Sequence, residues 1–118
     1  MASVRMLISD WLLIDGTMDN HVQSAVDDAR PDVAELGLSI REAGWRQLPD
    51  WPHSAEGFKT WPAPGQTATM TLTGAQWSLV VVALRHWADV SESLAKTGEA
   101  DKSRTLADGI EQQLAKPA

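Results

Sequence analysis

At 118 residues with a net charge of −6 and no cysteine, the chain has the length of one domain and a globular composition. The missing cysteines exclude disulfides, thiolate nucleophiles and cysteine-held zinc or iron–sulfur centres. The acidic balance argues against direct binding of nucleic acid, and the apolar runs at 11–14 and 79–84 are far too short to span a bilayer.

The first element is ambiguous. Val4, Leu7, Ile8, Trp11 and Leu12 follow the helical period, whereas Trp11-Leu12-Leu13-Ile14 before Asp15-Gly16 also reads as a buried strand ending in a turn. Helix is the reading adopted for 4–14, with Gly16 as its stop. A second helix is expected from a cap at Asp19 or Asn20 toward Ala29, with Val22, Ala25, Val26 and Ala29 on one face. A third starts at Pro31, whose missing N–H is harmless in a first turn. It carries Val33, Leu36, Gly37, Ile40 and Ala43 and stops at Gly44, with Trp45 just beyond. Gly37 weakens that helix by about 1 kcal/mol relative to alanine, or else lets another element come close.

Residues 46–65 read as a loop punctuated by Pro49, Pro52, Gly57, Pro62, Pro64 and Gly65. Residues 58–61 and 67–72 are expected to pair as a hairpin across it. In the second of these, Ala68, Met70 and Leu72 alternate with threonines, the period of a half-buried strand. Thr73-Gly74-Ala75-Gln76 is a capping box, in which the Thr and Gln side chains each satisfy a backbone donor. The helix behind it is apolar on two sides, which puts 79–84 at the centre of the core, and it breaks at Gly98. A last helix over about 100–115 follows so closely that the two are expected to be antiparallel neighbours. The sum is an α+β fold, mostly α. A single domain over 1–118 comprises an acidic helical part (1–45), a Pro/Trp loop with a short β-hairpin (46–73) and a C-terminal antiparallel helix pair (74–116).

Reactive constellations are sparse. Leu13-Ile14-Asp15-Gly16-Thr17-Met18 resembles the first motif of haloacid-dehalogenase-type phosphatases, but Leu13 stands where the nucleophilic Asp belongs, and phosphoryl transfer without it does not start. His53 with Glu56, and His86 with Asp89, have i, i+3 spacing, yet neither pair supplies the three or four ligands zinc wants, and His21 stands apart. Ser54 beside His53 lacks a nucleophile elbow. No catalytic residue, metal or cofactor is expected, and the chain is read as non-enzymatic and cytoplasmic.

What remains is surface. Between Asp10 and Glu35, seven acidic residues (Asp10, Asp15, Asp19, Asp27, Asp28, Asp32 and Glu35) stand against Arg30 alone, so that window carries a net −6 and the rest of the chain is balanced. Such a stretch is either a solubilising face or a docking face for a basic partner, including a nucleic-acid-binding protein. Of the six tryptophans, Trp11, Trp77 and Trp87 fall in apolar helical patterns and read as core. Trp45, Trp51 and Trp61 lie in or beside the Pro-rich loop; they either roof the core or anchor a partner, since Trp dominates binding hot spots.

The segment Thr71-Leu72-Thr73-Gly74-Ala75-Gln76-Trp77-Ser78-Leu79-Val80, with the closing 106–114 helix, resembles the C-terminal half of small actinobacterial and actinobacteriophage proteins that carry a Leu-Thr-x-x-Gln-Trp strand-to-helix junction. The resemblance implies an accessory protein rather than a metabolic enzyme. The expectation is a protein-binding domain, in concrete form a phage-encoded inhibitor of a host or defence protein. Its contact residues are Trp45, Trp51, Trp61, Asp19, Asp27, Asp28 and Asp32, and a homodimer is a further option. The alternative is a metal- or ligand-dependent enzyme or sensor built on His53 and Glu56.

Overall fold

The computed structural model describes residues 1–116. The order is β1 (Ala2–Leu7), α1 (Ile8–Asp27), α2 (Pro31–Gln47), a short 3-10 helix (Ala55–Lys59), β2 (Thr67–Leu72), α3 (Gly74–Ser93) and α4 (Thr97–Ala115). The fold is α+β and mostly α, and α3 and α4 pack side by side. No helix among the described residues is long and apolar enough to cross a membrane.

The N-terminal helix expected over 4–14 is two elements. Val4 and Met6 point inward while Ser3, Arg5 and Leu7 point out, the alternation of a strand. The five-residue helical match straddled the junction: Val4 belongs to β1, Ile8 and Trp11 to α1. α1 then runs through Gly16, and Asp19 and Asn20 lie inside it rather than capping a second helix. Its core stripe is Ile8, Trp11, Ile14, Met18 and Ala25. The chain reverses at Ala29, which takes a positive φ of 55°.

β1 and β2 form a two-stranded antiparallel sheet in the register Ala2↔Leu72, Val4↔Met70, Met6↔Ala68. The antiparallel pairing expected of 67–72 is therefore present, but its partner is the N-terminus and not 58–61, whose first two residues end the 3-10 helix. Long-range pairing wins because Val4, Met6, Met70 and Leu72 are all buried in the core by it. Each outer edge is closed by one glutamine side chain. Gln47 at the end of α2 donates to Thr71 O and accepts from Thr71 N (2.8 and 2.7 Å). Gln113 of α4 does the same to Arg5 (2.7 and 2.9 Å). Both amides stand in for a missing neighbour strand and blunt edges that otherwise invite further pairing.

Pro31 starts α2 as expected, but the helix continues past Gly44 to Gln47 and carries Trp45 within it. Gly44 is there for packing. A Cβ on it would lie 2.3 Å from Trp11 Nε1, so the wholly buried Trp11 indole rests on bare backbone. Gly37 permits the close approach that its position allowed for: its Cβ would meet Val22 Cγ2 at 2.6 Å.

The capping box forms as expected. Thr73 Oγ1 accepts from Gln76 N at 3.1 Å and Gln76 Oε1 accepts from Thr73 N at 2.8 Å. Trp77, in the first turn of α3, is buried and donates to Ala2 O (2.9 Å), tying helix to sheet. α3 ends at Ser93, before the expected break; the reversal uses Ala95 at φ 61°, and Gly98 sits inside α4. Val80, Ala83, Leu84 and Ala88 face Ala100, Ala107 and Ile110 in the rest of the core.

Candidate functional site

A cleft of about 410 Å³ opens where the C-terminal half of α2 meets the loop. Arg41 and Trp45 enter it from α2, one turn apart, and Asp15 from α1. Leu48, Pro49, Trp51 and His53 close the far side.

The Arg41 guanidinium organises this cleft. Its Nε lies 3.1 Å from Asp15 Oδ1 and a second nitrogen 3.3 Å from Asp15 Oδ2, a two-point pairing, while the third reaches Asp19 Oδ1 at 3.0 Å. Planar bidentate pairing is what an arginine, and not a lysine, supplies. The Asp15 hydrogen bond raises the guanidinium pKa, outweighing partial desolvation. The same group sits 5.1 Å over the Trp45 ring, a cation–π contact that fixes the indole on an otherwise open helix face. Trp45 nevertheless remains 40% exposed.

Behind the cleft, Trp51, Phe58 and Trp61 pack mutually, with ring centroids 5.7 to 6.2 Å apart. Gly57 lies against Pro52, where a Cβ would come within 2.6 Å. This small aromatic core explains how a long loop with one short 3-10 helix holds its shape. Trp51 and Trp61 are only partly exposed and pack on the main core, so of the two roles open to the loop tryptophans they take the roofing one. The Trp61 Nε1 is buried with no hydrogen-bond partner. Of these three tryptophans Trp45 offers the most ring surface to solvent, and Phe58 at the edge of the loop cluster is exposed to a similar degree.

The acidic residues do not form one face with these rings. Asp19 joins the cleft through Arg41. Asp27 and Asp28 end α1, and Asp32 stands in the first turn of α2, all exposed and without an ion pair among the described residues. Thirteen helical positions separate Asp32 from Trp45, roughly 20 Å at 1.5 Å per residue. Asp32 complements the helix N-terminus; Asp27 and Asp28 sit at a C-terminus, where the helix dipole disfavours negative charge. Helix stability therefore does not account for that pair.

His53 borders the cleft, but Glu56 turns away to Lys59 (3.0 Å), so the two do not converge. No three His, Asp or Glu side chains among the described residues gather to hold a metal ion. A third grouping escaped the sequence reading: His21 of α1 meets His86 and Trp87 of α3. The imidazoles lie 6.1 Å apart edge-on, and Trp87 Nε1 donates to His21 Nδ1 at 3.2 Å. That bond requires an unprotonated Nδ1. Burial, then His86 and Arg30, lower the His21 pKa from its ordinary value. Comparison of the chain with protein-family models, curated proteins and solved structures finds no match.

Proposed function

We propose that this chain is a non-enzymatic accessory protein that works by binding another protein, with the Trp45 cleft as the contact that anchors it. The observation that carries the reading is an indole 40% exposed yet held in place by Arg41, itself clamped by two carboxylates. A pre-ordered aromatic loses little freedom on binding, and such residues supply most of the energy at protein interfaces. The exposed Asp27, Asp28 and Asp32 form a separate electrostatic contact that favours a basic partner. Such charges mainly raise association rate and selectivity. A cytoplasmic phage-encoded inhibitor occupying a basic groove on a host or defence protein is the concrete version, in line with the resemblance to small actinobacterial and phage proteins.

The test is quantitative capture from an actinobacterial lysate with the wild-type chain, Trp45→Ala and the double variant Asp27→Asn/Asp28→Asn. The reading expects a protein retained by the wild type to be lost with Trp45→Ala. The same protein should be retained by the Asn variant with a slower, less salt-sensitive association. Equal retention by the wild type and Trp45→Ala removes the cleft from the interface.

A further inference from the structure

A second cavity, independent of the Trp45 cleft, lies where α1, α3 and α4 meet. It has a volume of about 450 Å³, within the range of small-molecule sites. Leu12 and Leu13 of α1 and the Trp87 indole make its apolar walls. The Trp87 N–H is spent on His21 Nδ1, so this ring offers the cavity surface and no donor.

The polar side is neutral overall. Ser103 is more than nine-tenths buried and borders the cavity. The half-buried Ser91 hydroxyl and the exposed Asn20 amide also border it. Thr17 donates to Leu13 O at 2.7 Å and keeps its lone pairs for a visitor. At the rim stand Glu99 and Lys102, neither in an ion pair among the described residues, and their opposite charges cancel.

From this lining we infer that the cavity is a binding site for a small, uncharged, hydroxyl-rich ring, a single sugar unit or a compound of that kind. The apolar walls suit the C–H face of such a ring. Hydroxyls, an amide, a carboxylate and an ammonium offer both donors and acceptors to groups that both donate and accept. A lining of zero net charge gives a phosphate or other strong ion no advantage. The inference stands or falls separately from the protein-binding role.

Gly16 makes the test clean. It borders the cavity, it is exposed inside α1, and a Cβ built on it meets nothing within 4 Å. Gly16→Leu therefore puts a side chain into open space and improves the helix. The experiment titrates the full-length isotope-labelled chain with glucose, galactose and mannose, with glycine and inorganic phosphate as separate arms, and follows backbone and indole resonances. The expected result is saturable shifts at Thr17, Ser91, Ser103 and the Trp87 indole for at least one hexose, half-complete in the millimolar range, about 1–10 mM for so small a ligand. Gly16→Leu should abolish them while melting no lower than the wild type. Ser103→Ala, which keeps the helix intact, should weaken binding about fivefold. The inference is overturned if no hexose gives saturable shifts up to about 100 mM, far above the midpoint expected of so small a ligand. It is equally overturned if the shifts survive both variants, or if glycine or phosphate alone produces them.

Discussion

The two helix pairs of this protein solve the same packing problem in opposite ways. α1 and α2 meet through glycines, with Gly37 against Val22 and Gly44 against the Trp11 indole, and lock with the partly buried Arg41–Asp15 pairing. α3 and α4 meet through a run of alanines and carry their ion pairs outside: Arg85 with Asp108 and Glu111, and Arg104 with Asp89 and Glu92. The glycine-based pair allows close backbone approach but tolerates little change. The alanine-based pair is forgiving, and its charges are screened by water and salt. The candidate interface, with Trp45 and the acidic turn, lies on the less tolerant pair and the loop that follows it. Rigidity there keeps the exposed indole in place.

The largest effect that separates the two pairs is a β-carbon added to each. Gly44→Val drives atoms into a fully buried indole and is expected to lower stability by about 3 kcal/mol, or to prevent folding. Gly109→Ala in α4, where an added Cβ meets nothing within 4 Å, is expected to raise it by about 0.5–1 kcal/mol. Urea denaturation reads both, and a tolerated Gly44→Val would break the distinction.

Removing one ion-pair partner from each pair comes next. Asp15→Ala leaves the guanidinium with Asp19 alone and is expected to lower stability by about 1–2 kcal/mol. It should also loosen Trp45, seen as a change in indole fluorescence. Arg104→Ala, on the open face of the other pair, should leave the melting temperature within error and insensitive to salt. Equal losses at the two sites would mean that exposure does not set their worth.

The smallest effect concerns the contact between the pairs. Because the His21 pKa is lowered in the fold, the unfolded chain binds the extra proton first as pH falls. The stability that neutral His21 contributes is complete above about pH 6.5 and declines as pH drops toward its lowered value. The decline should be absent in His21→Asn, and Trp87 fluorescence should follow the same titration in the wild type. A slope of opposite sign would contradict the bond from Trp87 to His21 Nδ1.

Sequence patterns read well where structure is local. The capping box at Thr73–Gln76, Pro31 in a first turn and the core positions of Trp11 and Trp77 all follow from neighbours within one turn. They fail where a distant partner decides. β1 pairs with a strand some 65 residues away in sequence, and nothing within 2–7 announces that. Gly16, Gly44 and Gly98 look like helix stops by propensity alone; Gly44 is kept by tertiary contact with Trp11, which outweighs about 1 kcal/mol of helix propensity. In the candidate site, Trp45, Trp51 and Asp19 were legible, but Asp15 and Arg41 were not, since only the α1–α2 approach brings them together. A trace existed: Asp15/Asp19 and Arg41/Trp45 are each spaced by four, which aligns both pairs on facing helix sides. The separation of Asp27, Asp28 and Asp32 from the rings was hidden because charge counted along a chain ignores which end of a helix it occupies.

The account rests on Trp45 being a contact residue rather than an incidental exposed ring. Hydrogen exchange of the chain alone and in complex with its captured partner tests this directly. Slowed exchange should concentrate at 41–53, with a weaker effect at 27–32 and none along the outer face of α4. Protection confined to α3 and α4, with 41–53 exchanging as in the free chain, would contradict it.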